Sequence, residues 1–173
     1  MLYLGLETGN DMRQTIIAIA NQKGGVGKTT TAATLAAYLA TPQKPVLLVD
    51  LDPQGNATSG LGIPKANTAI STYEVLLGKD ELSKTVQETN TAGLFVLPAR
   101  PDLAAAELDL AGATKREFKL KDVLASTQYA YVIIDCPPAL GLLTINALTA
   151  ATSVLIPVQA EYYALEGLGQ LLE

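Results

Sequence analysis

Hydrophobic residues in this chain fall into short unbroken runs, which alternate with stretches whose apolar positions recur at helical spacing. The runs are residues 15–20, 46–49, 94–97, 131–134 and 154–158. Helical spacing begins with Ala32, Leu35, Ala36 and Leu39 and returns in residues 72–77, 103–110, 115–125 and 141–150. Runs without alternation are typical of parallel strands covered on both faces. We therefore predict an α/β fold with a doubly wound, mainly parallel sheet that would bind ligands at the carboxyl ends of its strands.

Neither end of the chain fits this alternation. Residues 1–12 show no clear period, and we interpret them as a leader or tail before a domain that spans residues 13–173. The last apolar positions form an amphipathic helical pattern: Ala164, Leu165, Leu168, Leu171 and Leu172. This pattern stops at Glu173 without a capping glycine or a following strand. We predict a chain truncated at its C-terminus, with a frayed natural terminus as the alternative.

Composition favours one globular domain that works without histidine. The chain has 173 residues, of which 49% are hydrophobic. No apolar run approaches the roughly 18 residues of a membrane helix, and the first eleven residues lack the pattern of a secretory signal, so we predict a cytosolic protein that does not use a membrane. The single cysteine, Cys136, excludes an intrachain disulfide, and the absence of histidine removes the commonest general base. Catalysis would depend on carboxylates, lysines, backbone groups and a metal.

The charge balance argues against DNA binding by this stretch of chain. A net charge of −5 opposes nucleic acid and acidic membranes unless basic groups cluster locally. The nearest basic cluster, residues 115–121, is better explained as a solvent-exposed helix face.

The most informative segment is the glycine-rich stretch between the first strand and the first helix. Residues 21–30 read Asn-Gln-Lys-Gly-Gly-Val-Gly-Lys-Thr-Thr. Glycines at such a bend let consecutive backbone N–H groups turn toward an anion, and the helix N-terminus adds partial positive charge. We predict that the backbone of Gly24, Gly25, Val26, Gly27, Lys28, Thr29 and Thr30 cradles phosphates. Lys28 would reach the β- and γ-phosphates, and Thr29 would bind magnesium. A glycine-rich turn with solvated lysines is the alternative.

The loop departs from the usual phosphate-binding pattern at its start. In G-x-x-x-x-G-K-[ST] the first glycine would fall at position 22, where this chain has Gln22, and a second lysine, Lys23, follows it. Lys28 suits the nucleotide of its own chain. Lys23, on the outer shoulder of the bend, could point toward a second molecule, so we hypothesise that it is a cation supplied to a partner. An ordinary surface lysine is the alternative.

Carboxylates follow two of the predicted strands. Asp50 and Asp52 come at the end of the strand over residues 46–49, and Asp135 follows the strand over residues 131–134, as in a Walker B strand. Phosphoryl transfer needs a held metal and a positioned water. We predict that Asp135 holds magnesium through a water and that Asp52 positions the attacking water, because Cys136 cannot act as a carboxylate base. Asp50 would orient magnesium waters or Lys28, or would only cap the next helix.

Four blocks of the sequence, in this order, resemble the ParA/Soj branch of the deviant Walker A ATPases. They are residues 23–30, 50–56, 134–138 and 157–167. The resemblance implies a P-loop NTPase that binds ATP and Mg²⁺ and hydrolyses ATP during chromosome or plasmid segregation. It also makes Lys23 the signature lysine that reaches the nucleotide of the partner, so that the catalytic set would be Lys23, Lys28 and Asp52.

The same resemblance implies partners and a location. ATP would close two protomers into a homodimer, the dimer would bind DNA without sequence preference, and a ParB-type partner would stimulate slow hydrolysis. The protein would be cytoplasmic and associated with the nucleoid. Members of the family usually continue for several more strands and helices, so DNA binding is expected of a C-terminal region absent from residues 1–173.

Other functions share the loop. A MinD-like division-site ATPase would add a C-terminal membrane helix. The nitrogenase iron protein needs two cysteines from each subunit, and this chain has one. A non-hydrolysing module in which ATP only switches dimerisation, and a small-molecule kinase or ligase, also remain open.

Overall fold

The computed structural model describes residues 2–5, 14–64 and 69–159. Its strands are β1 (Leu2–Gly5), β2 (Thr15–Ile19), β3 (Val46–Asp50), β4 (Gln87–Glu88), β5 (Leu94–Leu97), β6 (Tyr131–Asp135) and β7 (Ser153–Ile156). Its α-helices are α1 (Lys28–Leu39), α2 (Asn56–Gly60), α3 (Thr72–Leu76), α4 (Leu82–Thr85), α5 (Ala106–Asp109), α6 (Lys119–Leu124) and α7 (Leu142–Ala150). Short 3₁₀ helices, Pro101–Ala105 and Arg116–Phe118, precede α5 and α6.

The strands of the described residues form one sheet in the order β1-β7-β2-β6-β3-β5-β4. β7, β2, β6, β3 and β5 are parallel, and the short strands β1 and β4 pair antiparallel at the two edges. The predicted doubly wound, mainly parallel α/β fold is confirmed. Because parallel strands end together, the carboxyl ends of β2, β3 and β6 meet at one edge of the sheet.

Alternate residues of the central strands pack on opposite faces of the sheet. One face packs against α1 through Ala32 and Ala36, whose small side chains allow close approach; its strand residues include Ile17, Ile19, Leu48 and Ile133. The other face packs against α3, α6 and α7, with strand residues that include Leu47, Val49, Leu97, Val132 and Ile134. The central strands are therefore buried on both sides, as their unbroken hydrophobic runs predicted.

The structure differs from the predicted elements in detail. Residues 103–110 and 115–125 are not continuous α-helices, because each begins with a 3₁₀ turn. The last strand stops at Ile156, before Pro157, which has no N–H for the ladder. Residues 2–5, which we interpreted as part of a leader, pair with β7 and cover that sheet edge. The predicted helix over residues 164–172 lies outside the described residues. No helix in the described part of the chain is both long and apolar enough to cross a membrane.

Gly93 should be the glycine of this fold least tolerant of a side chain. Its φ is +81°, and a Cβ atom placed on it would lie 2.3 Å from the backbone oxygen of Thr41. Gly93→Ala is therefore expected to lower the free energy of unfolding by at least about 2 kcal/mol, measured by urea denaturation. Gly112→Ala is the matched control because a Cβ there meets nothing within 4 Å, and its effect should stay within about 0.5 kcal/mol. Equal stability of the two variants would contradict the prediction.

Candidate functional site

The segment between β2 and α1 forms a loop whose shape depends on two glycines. Gly25 and Gly27 have φ values of +75° and +86°, a region that residues with a Cβ rarely adopt. Gly27 is also the N-cap of α1, and no side chain caps this helix end. A Cβ on either glycine would meet nothing within 4 Å. Backbone conformation rather than crowding therefore explains the glycines, as expected of a loop built to present its amides.

The amides of this loop are open. Within the described residues, no protein acceptor receives the backbone N–H groups of residues 24–30, and the next amide, of Thr31, donates to the Gly27 oxygen at 2.8 Å. The first N–H groups of a helix need an acceptor from outside the helix, and the helix dipole adds positive potential there. Because α1 is 12 residues long, the peptide dipoles of several turns add at this N-terminus. The loop therefore offers a row of free donors and favours an anionic ligand.

Lys28 folds back over this row of amides. It is buried, with 8% of its surface exposed, and its Nζ donates to the backbone oxygen of Lys23 at 3.2 Å. A single backbone acceptor leaves a buried ammonium short of partners, because the group has three donors. A phosphate oxygen in the adjacent cleft would supply the missing negative charge.

Lys23 lies on the outer shoulder of the loop and is exposed to solvent. Its backbone N–H donates to Asn21 Oδ1 at 3.0 Å, and Asn21 Nδ2 donates to the Pro157 oxygen at 2.8 Å. Gln159 Nε2 also donates to the Gly25 oxygen, at 3.3 Å. Asn21 thus ties the loop to the segment after β7, a role that our sequence analysis missed. The signal was an asparagine two residues before a bend, where its side chain bonds the backbone.

Asp135 stands beneath the loop at the end of β6. It is fully buried, and neither of its carboxylate oxygens has a hydrogen-bond partner among the described residues. The pKa of this carboxyl is raised to about 7, chiefly by burial and also by the charges of Asp50 and Asp52, although the nearby Thr29 hydroxyl and Lys28 lower it. A buried carboxylate without donors is costly, so the site favours a cation.

Asp50 sits beside Asp135, since the two are Cα partners in the β3–β6 register. Its Oδ2 accepts hydrogen bonds from the Thr58 N–H at 2.7 Å and the Thr58 hydroxyl at 2.6 Å, and its Oδ1 accepts one from the Asp52 N–H at 3.2 Å. Burial raises the pKa of Asp50, and the bonds from Thr58 oppose the rise. These contacts favour the alternative in which Asp50 only caps the next helix, since Thr58 lies in the first turn of α2. Orientation of magnesium waters or Lys28 stays a prediction.

Most of the predicted residues line a cleft of about 420 Å³. Asp52 is on its wall, 9% exposed, with Oδ1 accepting the Gln54 N–H at 2.9 Å. The lining residues are Gly24, Gly25, Gly27, Lys28, Thr29, Thr30, Asp52, Gln54, Asn56 and Pro138. Val26 is buried beneath the loop, Asp50 and Asp135 lie below the cleft, and Lys23 stays outside it. Gln54 and Asn56 are lining residues to which our sequence analysis gave no role.

Cys136 follows Asp135 and is a packing residue. It is 1% exposed, its N–H donates to the Ile19 oxygen at 3.2 Å, and burial raises the pKa of the thiol. A buried neutral thiol is neither a base nor a nucleophile at neutral pH.

Comparison with known proteins agrees with this geometry. The family model AAA_31, described as an AAA domain, matches residues 14–173. The chromosome partitioning protein ParA of Myxococcus xanthus (strain DK1622) is 58% identical over 158 residues, which cover 90% of this chain and 56% of that protein. The sporulation initiation inhibitor protein Soj of Bacillus subtilis (strain 168) is 58% identical over 159 residues, which cover 91% of this chain and 63% of that protein.

A solved structure shares the fold. The crystal structure of cobyrinic acid a,c-diamide synthase from Mycobacterium smegmatis, with bound ATP analogue and magnesium, matches with a TM-score of 0.87 and 48% identity over 92% of this chain and 66% of that one. The chain spans 56% and 63% of the length of the two curated relatives above. The predicted resemblance is confirmed: the chain belongs to the AAA_31 family and, within it, to the ParA/Soj family of P-loop ATPases with a deviant Walker A loop.

Proposed function

We propose that this chain binds ATP with Mg²⁺ and hydrolyses the nucleotide to ADP and phosphate. The observation that carries the proposal is a juxtaposition at one cleft: a row of open loop amides beside Lys28, and below them a buried carboxylate, Asp135, that has no hydrogen-bond donor among the described residues. A triphosphate would satisfy the first and a divalent cation the second. A solved relative with 48% identity holds an ATP analogue and magnesium.

In this proposal each residue in or near the cleft has a separate role. The backbone of residues 24–30 and Lys28 hold the phosphates. Thr29 and Asp135, the latter through a water, hold magnesium, which neutralises charge on the phosphate oxygens when bound. Asp50 supports this arrangement from below, and Asp52 on the cleft wall orients the attacking water. Lys23, exposed and outside its own cleft, serves the nucleotide of a second protomer.

In the cell the whole protein would act in chromosome or plasmid partition; the name of the Myxococcus xanthus relative supports the chromosomal role. ATP would close two copies into a dimer, and the dimer would bind DNA without sequence preference. A ParB-type partner would trigger hydrolysis and release. The protein would then be cytoplasmic and associated with the nucleoid.

Calorimetric titration with Mg·ATP, followed by measurement of phosphate release, tests the proposal. Asp52→Ala is expected to retain Mg·ATP binding, because Asp52 is not part of the loop that holds the phosphates, and to lower the hydrolysis rate by about 10²-fold or more. Asp80→Ala is a matched control: Asp80 is half-buried, lies outside the residues that line the cleft, and its Oδ1 also accepts one nearby backbone N–H, from Glu81 at 2.8 Å. That variant should hydrolyse ATP at the wild-type rate.

Two outcomes would overturn the proposal. No uptake of Mg·ATP at millimolar concentration would remove the nucleotide from the site. Uptake without turnover in the wild-type chain would favour a non-hydrolysing switch, and Asp52→Ala would then change nothing.

A second candidate function is ATP-dependent synthesis, favoured by the likeness to the diamide synthase at 48% identity. The two functions differ in the acceptor. Phosphate release with water as the sole acceptor supports hydrolysis, whereas ATP consumption that requires an added carboxylic acid and ammonia would support a synthase.

A further inference from the structure

A buried chain of hydrogen bonds connects the end of β5 to the loop that carries Asp52. The N–H of Ala99, just past β5, donates to Thr58 Oγ1 at 2.9 Å. The Thr58 hydroxyl in turn donates to Asp50 Oδ2 at 2.6 Å, and Asp50 Oδ1 accepts the Asp52 N–H at 3.2 Å. Thr58, Asp50 and Ala99 are all fully buried. The hydrogen bonds converge on the Asp50 carboxylate, which accepts from Thr58 on one oxygen and from Asp52 on the other.

Thr58 lies at the centre of this series of hydrogen bonds. Its hydroxyl both donates and accepts, and its backbone N–H adds a second bond to Asp50 Oδ2 at 2.7 Å. The loop that follows Asp52 closes on itself through the Gly55 N–H, which donates to the Asp52 oxygen at 2.8 Å. Thr58 therefore fixes the far end of the loop to the carboxylate that holds its near end.

We propose that Thr58 is a positioning residue that sets Asp52 against the cleft through Asp50. The expected effect on the rate rests on the proposed hydrolysis of ATP. The expected effect on the position of the loop rests on the hydrogen bonds alone. Thr58 lies outside the set of residues that line the cleft, so it acts on Asp52 and not on the nucleotide. Small displacements of a positioned group can lower a rate by about 10²-fold.

Thr58→Val tests the inference because valine keeps the shape of threonine and removes the hydroxyl. We expect kcat for ATP hydrolysis to fall about 10- to 100-fold, with KM for ATP within about twofold of wild type, since the phosphate loop is untouched. Thr58→Ser keeps the hydroxyl and should restore kcat. If Thr58→Val does not fold, Thr58→Ala takes its place.

Thr85→Val is the matched control for stability. Thr85 is 2% exposed, and its hydroxyl donates to the Glu81 oxygen at 3.0 Å. It neither lines the cleft nor belongs to the hydrogen bonds around Asp50. This variant should lose a comparable amount of thermal stability and keep its kcat. A fall in kcat that Thr85→Val shares, or that Thr58→Ser fails to reverse, would overturn the inference.

Hydrogen–deuterium exchange of residues 52–57 in the nucleotide-free chain supplies a readout that does not need hydrolysis. Thr58→Val should speed exchange in this segment, whereas Thr58→Ser and Thr85→Val should not. Unchanged exchange in Thr58→Val would overturn the positioning role. If the wild-type chain failed to hydrolyse ATP, the proposed function would fall, and the exchange comparison would still decide whether Thr58 holds the loop.

Discussion

Replacing Lys23 with alanine is expected to abolish ATP hydrolysis and to leave Mg·ATP binding in place. Two bonds that hold the loop together use the backbone of Lys23: its N–H donates to Asn21 Oδ1, and its carbonyl oxygen accepts from Lys28 Nζ. Alanine keeps both groups, so the phosphate cradle should survive. By analogy with an arginine finger, loss of a cation delivered by the partner should slow hydrolysis by about 10³- to 10⁵-fold.

Lys44→Ala controls for the loss of an exposed lysine. Lys44 is exposed, and its backbone N–H and carbonyl oxygen also carry the bonds of its turn, to Thr41. Binding is measured by calorimetry and turnover by phosphate release. Lys44→Ala should match wild type in both. If Lys23→Ala lost ATP binding together with hydrolysis, the role in trans would be wrong.

Mixing two inactive variants tests the trans role directly. A protomer with Lys23→Ala keeps Asp52, and a protomer with Asp52→Ala keeps Lys23, so a mixed dimer has one complete site. Equimolar mixing should restore up to about a quarter of the wild-type rate, because half of the dimers are mixed and each has one of two sites intact. No recovery on mixing would place Lys23 in its own site.

The sequence predicted the framework of the site because local rules determine it. A buried strand, a glycine bend and a helix start require neighbours only a few residues apart, and the register of β3 and β6 then brings Asp50 beside Asp135. The partners of Asp50 could not be predicted in the same way. Its bonds to Thr58 depend on where α2 packs against the end of β5, a tertiary contact that spacing does not encode.

Tertiary contacts also explain the other differences. Asn21 bonds the oxygen of Pro157, 136 residues away, so its role is invisible from the loop alone. Residues 2–5 carry no periodic pattern, yet their backbone completes the edge of the sheet beside β7. Edge pairing needs backbone groups rather than a hydrophobic pattern, which is why a short strand escaped the sequence analysis.

Asp135→Asn is expected to stabilise the metal-free chain at high pH. The pKa of Asp135 rises from its ordinary 3.8 to about 7 in the folded chain, chiefly through burial. Below about pH 4 the carboxyl is protonated in both states and has no effect. Between about pH 4 and 7 the unfolded chain loses this proton and the folded chain keeps it, so the stability of the wild type falls as pH rises. Above pH 7 the free energy of unfolding of the wild type stops falling, after a total loss of up to about 4 kcal/mol.

Asparagine does not ionise, so Asp135→Asn should lack this fall. The difference in unfolding free energy between variant and wild type, from urea denaturation without metal, should grow from pH 4 to 7 and then stay constant. The cost of burying the asparagine amide does not depend on pH, so it shifts this difference by the same amount at every pH and leaves its pH dependence unchanged. Asp122→Asn, at an exposed carboxyl on α6, should follow the wild type at every pH.

The same substitution should reverse its effect once Mg·ATP is added. A ligand that binds the folded state raises stability in proportion to the logarithm of its concentration over Kd. The wild type, whose ionised Asp135 has no hydrogen-bond donor among the residues that the structure describes, gains most from a nearby cation, so its melting temperature at pH 8 should rise more with Mg·ATP than that of Asp135→Asn. Equal gains in the two proteins would show that the carboxylate does not serve the metal. A buried acid that destabilises the fold without ligand, and whose cost the ligand removes, would couple folding to nucleotide binding. This coupling explains why a carboxylate with no hydrogen-bond donor among the described residues lies at the carboxyl end of β6.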